Sequence, residues 1–396
     1  MKREHAAPVR RAAVVVACAS VAASVVISIL LTTPSDGLSA VGLSSIDSAV
    51  QVARGDASTT TTTSTTTTTS TTVPSTSNPA TGLITAGPSR SECVTLNFND
   101  TGLAALQAAV TSFDTLTNST LSCVSAYSDS AATWAAWKSP WVTDSSYGYT
   151  SWIAQAPQNR QLVLAVQLIP NNLANINDPL NWEKSCAAGH FDNYARQLGA
   201  NLVVAGLENS VIRLGSEMNG GWESDFVGTT KVEQELWAKC FTNEVVSLRK
   251  VTGEHFLIDW NVNACTGNYP YAPYYPGNSY VDIMGLDLYD VGCKSPYTRI
   301  TFPKLISEPF GLDHFEAFAA AKGKPMSLPE WGLATIPAGD DPAYIDGIGS
   351  TVANRDFAFQ TYFDGGGGPN SKSLALSSAT PLAVTAYQNW FGKGPK

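Results

Sequence analysis

The sequence predicts a single (β/α)8 barrel, an eight-stranded parallel sheet closed on itself and ringed by helices, set behind an apolar segment and a threonine-rich linker. Three observations predict it. Short apolar, β-rich runs alternate with helical patterns, as they do in βα units around a parallel sheet. Eight such runs occur, the strand count of a closed barrel. Residues 92–396 are also numerous enough for one large α/β domain and too many for a small module.

Residues 1–11 (MKREHAAPVRR) are basic, and residues 12–33 form an uncharged apolar run. About 20 such residues cross a hydrocarbon core as a helix. Positive charge on the N-terminal side keeps the tail in the cytoplasm and places the rest outside. An uncleaved signal anchor is expected, and a cleaved signal peptide is the alternative. The second needs a small-residue cleavage site, for which Leu38-Ser39-Ala40 is a poor match. Either way the remainder is exported. Residues 34–91 then read as a linker, almost pure Thr from Thr59 to Thr72. A segment with so little to bury cannot offset the entropy of ordering, and such stalks are often O-glycosylated spacers.

Candidate strands of the folded part are 94–98, 121–128, 161–169, 210–215, 256–262, 281–288, 326–330 and 357–363. Helical patterns occupy 102–113, 191–199, 231–250, 313–322 and 380–391. An open doubly wound sheet is the rival architecture. It would carry a Gly-rich phosphate loop after its first strand, where only Asn99-Asp100-Thr101-Gly102 stands. Besides Cys18 in the apolar run, six cysteines remain, an even set that implies disulfides outside the cell. Sequential pairing (Cys93–Cys123, Cys186–Cys240, Cys265–Cys293) is expected among the fifteen arrangements possible. With no CxxC spacing and only four His, a zinc site is not expected. The net charge of −9 and the lack of a later basic block argue against nucleic acid as a partner. A monomer is expected.

Active sites of such barrels form where strands end and βα loops begin. Glu217 follows the fourth strand in IRLGSEMNGGW, and Glu330 closes the seventh in MSLPEWG, each with Gly and Trp nearby. A single Glu in a loop is usually a solvated surface residue; two at the ends of strands four and seven suggest a pair. Two carboxyls across a barrel mouth suit glycoside hydrolysis, one protonating the leaving oxygen and the other attacking the anomeric carbon. A separation of about 5–5.5 Å would give retention of configuration, and about 6.5–9.5 Å inversion. Trp222, Trp260, Trp331, Tyr362 and Phe363 are candidate sugar platforms. Arg213, four residues before Glu217, should point into the barrel and hold charge near the pair, or serve a structural ion pair.

The run IRLGSEMNGGW resembles the acid/base segment of glycoside hydrolase family 26, which contains β-mannanases and some xylanases and lichenases. VSAYSD (124–129), VDIMGLDLYD (281–290) and KGKPMSLPEWGL (322–333) resemble its strand-two, strand-six and nucleophile segments. The resemblance implies a retaining glycosidase with Glu217 as acid/base and Glu330 as nucleophile, acting without a cofactor on a polysaccharide partner, most simply a mannan. It also implies that Tyr289 hydrogen-bonds the nucleophile. Asn219 and Asp287 join Arg213 and the aromatics as candidate substrate-binding residues, Asp287 also reading as a structural partner at a strand end. The family usually has His before the acid/base residue, where it helps shape the subsite of the sugar being cleaved. Here Ser216 stands. Action on xylan, β-glucan or a cell-wall arabinan or mannan is therefore an alternative, as is a catalytically silent glycan-binding barrel. Loops 144–148 and 266–280 should shape that choice. Deleting residues 1–33 should yield a soluble domain, checked by fractionation of membranes; continued membrane association of the truncated chain would contradict the anchor.

Overall fold

The computed structural model describes residues 83–96, 102–128, 131–173, 179–264, 271–292, 298–334, 339–365 and 373–393. The apolar run 12–33, the threonine tract, part of the 266–280 loop and the expected Cys265–Cys293 bridge lie outside the described residues. Among the described residues no helix is long and apolar enough to cross a membrane.

Eight parallel strands close into a barrel: β1 (Ser91–Thr95), β2 (Cys123–Tyr127), β3 (Gln161–Val166), β4 (Val211–Leu214), β5 (Leu257–Asn263), β6 (Ile283–Tyr289), β7 (Met326–Ala334) and β8 (Phe357–Phe363). Each pairs with its sequence neighbours, and β8 pairs with β1 to complete the circle. A two-residue strand, β9 (Ser373–Leu374), adds antiparallel to the end of β7. All eight expected strands are present. The first starts earlier than expected because Ser91 and Glu92 already pair with Phe359 and Gln360 of β8. β7 is longer because it runs on past Glu330 to pair with β9.

The helices outside are α1 (Leu103–Thr117), α2 (Trp134–Trp137), α3 (Tyr149–Ala154), α4 (Pro179–Ala187), α5 (Asp192–Val204), α6 (Lys231–Leu248), α7 (Phe302–Ile306), α8 (Leu312–Lys322), α9 (Pro342–Asn354) and α10 (Pro381–Phe391). The start of α6 shows why the chain turns helical where it does. Thr230 Oγ1 accepts from the Glu233 N–H, and the Glu233 carboxylate accepts from the Thr230 N–H, a reciprocal cap.

Strand residues alternate between two cores, as the period of two requires. Val124, Leu164, Ile212 and Met284 face the helices, whereas Cys123, Val163, Val211 and Ile283 form the floor of the barrel interior. Ile84 joins that floor, its N–H donating to Gln161 Oε1 at 2.7 Å, and Ser89 Oγ donates to the Ala358 carbonyl at 2.6 Å. The expected linker end at residue 91 is thus too late, because the residues just before β1 already close one end of the barrel. Two expected disulfides are present. Cys93–Cys123 ties β1 to β2 inside the floor, and Cys186–Cys240 ties α4 to α6.

Several buried carboxyls hold their protons unusually well. Burial raises Asp225 and Asp364 to about 7, and burial beside Glu233 raises Glu183 to about 8. Glu244 is pushed well up by burial and by Asp225. Each group keeps its proton in the folded chain at pH values where the unfolded chain has lost it, so folding is favoured at low pH. Their contribution is complete below the ordinary carboxylate values of 3.8 to 4.5 and is lost as pH rises through 7 to 8. The thermal midpoint of the barrel should therefore fall between pH 5 and pH 8, by several degrees, since each tenfold change in proton affinity is worth about 1.4 kcal/mol. Calorimetry across that range tests it, and a flat or rising midpoint would contradict it.

Candidate active site

β4 brings Arg213 into the barrel two residues above the floor residue Val211, and the guanidinium is wholly buried. It is the only buried cationic side chain among the described residues. Its Nη2 donates to Asp287 Oδ2 at 2.8 Å and to Asn261 Oδ1 at 2.7 Å; Nε reaches the same Asn261 oxygen at 3.2 Å, and Nη1 donates to Tyr127 Oη at 3.2 Å. Asn261 Nδ2 donates in turn to Asp287 Oδ1 at 3.1 Å. A planar guanidinium with five N–H donors suits such a fixed fan of acceptors. Burial works against its charge, but Asp287, Tyr127 and Glu330 more than offset this and hold it protonated.

Glu330 lies above this fan. Tyr127 Oη donates to its Oε2 at 2.5 Å, Tyr289 donates to its Oε1, and Arg213 Nη2 stands 3.8 Å from Oε2. Both oxygens of Glu330 thus accept from a tyrosine, with the guanidinium close by. Burial, together with the neighbouring Glu330, raises both tyrosines far above their ordinary value, so they remain donors. Phe363 packs edge-on against both rings.

Glu217 is presented by the turn that follows β4. Gly215 takes a left-handed φ of 60° with the Trp237 ring at its back, where an added Cβ would stand 2.7 Å from Cζ2. Glu217 itself has φ 53°, a conformation uncommon for a residue with a side chain. Its N–H is held by the Asn261 carbonyl at 3.1 Å. Its carboxyl accepts from Asn263 Nδ2 at 2.7 Å and from the Trp222 indole N–H at 2.9 Å. Burial and the nearby Glu330 raise its pKa above the ordinary carboxylate value, against the pull of Asn263 and Arg213. Carboxylate oxygens of Glu217, Asp287 and Glu330 all lie within 4.8 Å of one another. Three carboxyls stand against one guanidinium, and burial among the neighbouring acids pushes up the proton affinity of Asp287 as well as that of Glu217.

The structure sorts the expected site residues. Glu217, Glu330, Arg213, Asp287 and Tyr289 come together. Arg213 and Asp287 are too buried to touch a sugar, so they act through the carboxyls rather than as substrate-binding groups. Asn219 is 3% exposed, and its side chain is tied to the Asn263 backbone, accepting from N at 2.8 Å and donating to O at 2.8 Å. It therefore shapes the loop. Trp260, Trp331 and Tyr362 are core residues, not platforms. Trp260 packs among Tyr271, Tyr274, Phe315 and Phe318, while Trp331 and Tyr362 pack with Tyr387. Trp222, 52% exposed beside Glu217, and half-buried Phe363 remain accessible. Ser216 is buried, and its carbonyl accepts from Gln167 Nε2 at 3.5 Å. Sequence reasoning missed Tyr127, Asn261 and Asn263. The alternation Asp259-Trp260-Asn261-Val262-Asn263 carried a signal for two of them, since polar residues at every second position of a central strand must line an interior.

Comparison with known proteins agrees with this arrangement. Among curated proteins none matches the chain in sequence. The fold is similar to that of a Bacillus subtilis mannanase, at 12% identity and a TM-score of 0.51, covering 80% of this chain and 87% of that one. It is also similar to a double mutant of the Cellulomonas fimi endo-β-1,4-mannanase (15% identity, TM-score 0.53, covering 80% and 71%). A Bacteroides ovatus β-mannanase gives 12% identity and a TM-score of 0.53, covering 78% and 88%. At such identities these likenesses concern the fold alone. The sequence model of glycosyl hydrolase family 26 matches residues 104–324, a span that includes Arg213, Glu217, Asp287 and Tyr289 and ends before Glu330. That match extends over more than half of the chain, and the protein belongs to glycosyl hydrolase family 26, a family of glycoside hydrolases.

Proposed function

We propose that the protein is a retaining, endo-acting glycosidase of a β-linked, mannan-type polysaccharide, with Glu330 as nucleophile and Glu217 as acid/base. The observation that carries this reading is the close approach of the two carboxylates, with oxygens within 4.8 Å. Retaining pairs stand about 5–5.5 Å apart, whereas an inverting pair needs about 6.5–9.5 Å to admit a water. In the first step Glu330 attacks the anomeric carbon while Glu217 gives its proton to the departing sugar oxygen. A glycosyl–Glu330 ester results. Glu217 then takes a proton from water, whose oxygen attacks the same carbon and frees Glu330. The raised proton affinity of Glu217 suits the acid role, and two tyrosine donors suit an ionised nucleophile. Trp222 offers an indole face beside the bond to be cut.

Mannan is favoured because the similar folds named above belong to mannanases. A second reading, action on xylan, β-glucan or an arabinan, is favoured by Ser216 in place of the family's usual His. The proposed location is the outer side of a membrane, held by residues 12–33. Its support is the apolar run and the two disulfides, which persist in oxidising compartments.

Glu330→Gln should lower release of reducing ends from mannan by roughly 1000-fold or more while leaving the thermal midpoint close to wild type. Activity near wild type would reject the nucleophile. Glu217→Ala should slow cleavage of mannan far more than that of aryl glycosides, whose leaving groups need no proton; an equal loss on both would exclude the acid role. The anomer first formed, followed by proton NMR, should be β, and an initial α product would overturn retention.

A further inference from the structure

Beneath the carboxyl cluster lies a further acid of the barrel interior. Asp259 of β5 is wholly buried and pairs in register with Arg213 on the neighbouring strand. Its Oδ2 accepts from Ser327 Oγ of β7 at 2.7 Å. Between those strands β6 contributes Gly285, which has no side chain for a physical reason: a Cβ there would stand 2.6 Å from Asp259 Oδ1 and 3.0 Å from Ser327 Oγ. A niche is thus kept open for a carboxyl, next to the only buried cation among the described residues. Below it the floor is apolar, with the Cys93–Cys123 disulfide in it. Tyr127, Asp287, Glu330 and Glu217 gather around the far end of the same guanidinium, and Tyr289 joins them through its bond to Glu330.

We propose that Asp259 is a positioning residue of this active site, a counter-charge beneath Arg213 that sets how strongly the guanidinium draws on the carboxyls at the barrel mouth. The proposal rests on the assignment of Glu217 and Glu330 as the catalytic pair. Arg213 makes its ion pairs with Asp287 and Glu330 and none within 4.0 Å with Asp259, so it acts on Asp259 through the field across neighbouring strands, lowering the proton affinity that burial raises. When Asp259 is ionised, part of the field of Arg213 is neutralised from below. Less of it then reaches Glu217, which holds its proton to higher pH. When Asp259 is neutral, the whole positive charge acts upward and Glu217 gives up its proton more readily. Burial raises Asp259 to about 7, with Ser327 and Arg213 pulling the other way, so its charge changes near neutrality.

The test is the titration of Glu217 itself, followed by carboxyl carbon-13 NMR on glutamate-labelled protein and assigned with Glu217→Gln. In Asp259→Asn the Glu217 titration should move to lower pH by about half a unit or more. The alkaline limb of kcat/KM on mannan should move with it. Ser327→Ala, which keeps the carboxyl and removes its donor, should move Glu217 the same way by less, and it serves if Asp259→Asn fails to fold. Thr361→Val, which removes an interior hydroxyl without altering charge, should leave the titration in place. A Glu217 titration unmoved in both Asp259→Asn and Ser327→Ala overturns the proposal. Equal shifts in all three variants would mean mere disturbance of the interior and would overturn it as well. A shifted titration in a protein that cleaves none of the glycans tested would instead keep the coupling and reject the glycosidase reading.

Discussion

One positive charge organises the interior of this barrel. Arg213 is held by Asp287, Asn261 and Tyr127, and through them it aligns Glu330 and limits how many neighbouring acids can ionise together. Without the guanidinium, Asp287 would be a buried carboxyl with no cation nearby, and burial pushes its proton affinity well up even with Arg213 beside it. Lysine could supply the charge but not the planar spread of donors that reaches three strands at once. The site is therefore one electrostatic unit, and the two glutamates acquire different roles from their places within it. Glu330 accepts from two tyrosines beside Arg213, whereas Glu217 accepts from Asn263 and Trp222 and stands against another acid.

The barrel supplies the placement. Strands β2, β4, β5, β6 and β7 end on the same rim, so Tyr127, Glu217, Asn263, Tyr289 and Glu330 converge although they are far apart in the chain. Rigidity comes from below. The floor is closed by Ile84 and tied by the Cys93–Cys123 bridge, and the helix layer is tied by Cys186–Cys240. Interior positions above the floor are unusually polar, with Thr95, Ser125, Asp259, Ser327 and Thr361 all buried. The strands there serve chemistry at some cost to packing.

Much of this was legible in the sequence. Alternating apolar runs gave the strand count, and Glu217 and Glu330 stood out because each follows such a run beside Gly and Trp. Aromatics were the weak point. Trp260 and Trp331 lie on strands next to interior positions, and one residue of register decides whether a ring meets sugar or helix. Period alone does not fix that phase, whereas the polar partners Asp259, Asn261 and Asn263 would have done so. Tyr127 was hidden for another reason: its importance lies in a contact with Glu330 across the barrel, which no local pattern encodes. The start of the domain was misplaced because Ile84 is a solitary apolar residue in polar surroundings, and its burial depends on a cavity made by strands far along the chain.

The left-handed backbone at Glu217 has an evolutionary corollary. A side chain there is kept in a conformation that glycine or asparagine would adopt at less cost, so the residue proposed as proton donor is also one the fold would readily relinquish. Drift at this codon toward Gly or Asn would trade turnover for a more relaxed scaffold. A glycine in place of Glu217 would relieve that backbone and leave a sturdier barrel without the proposed proton donor.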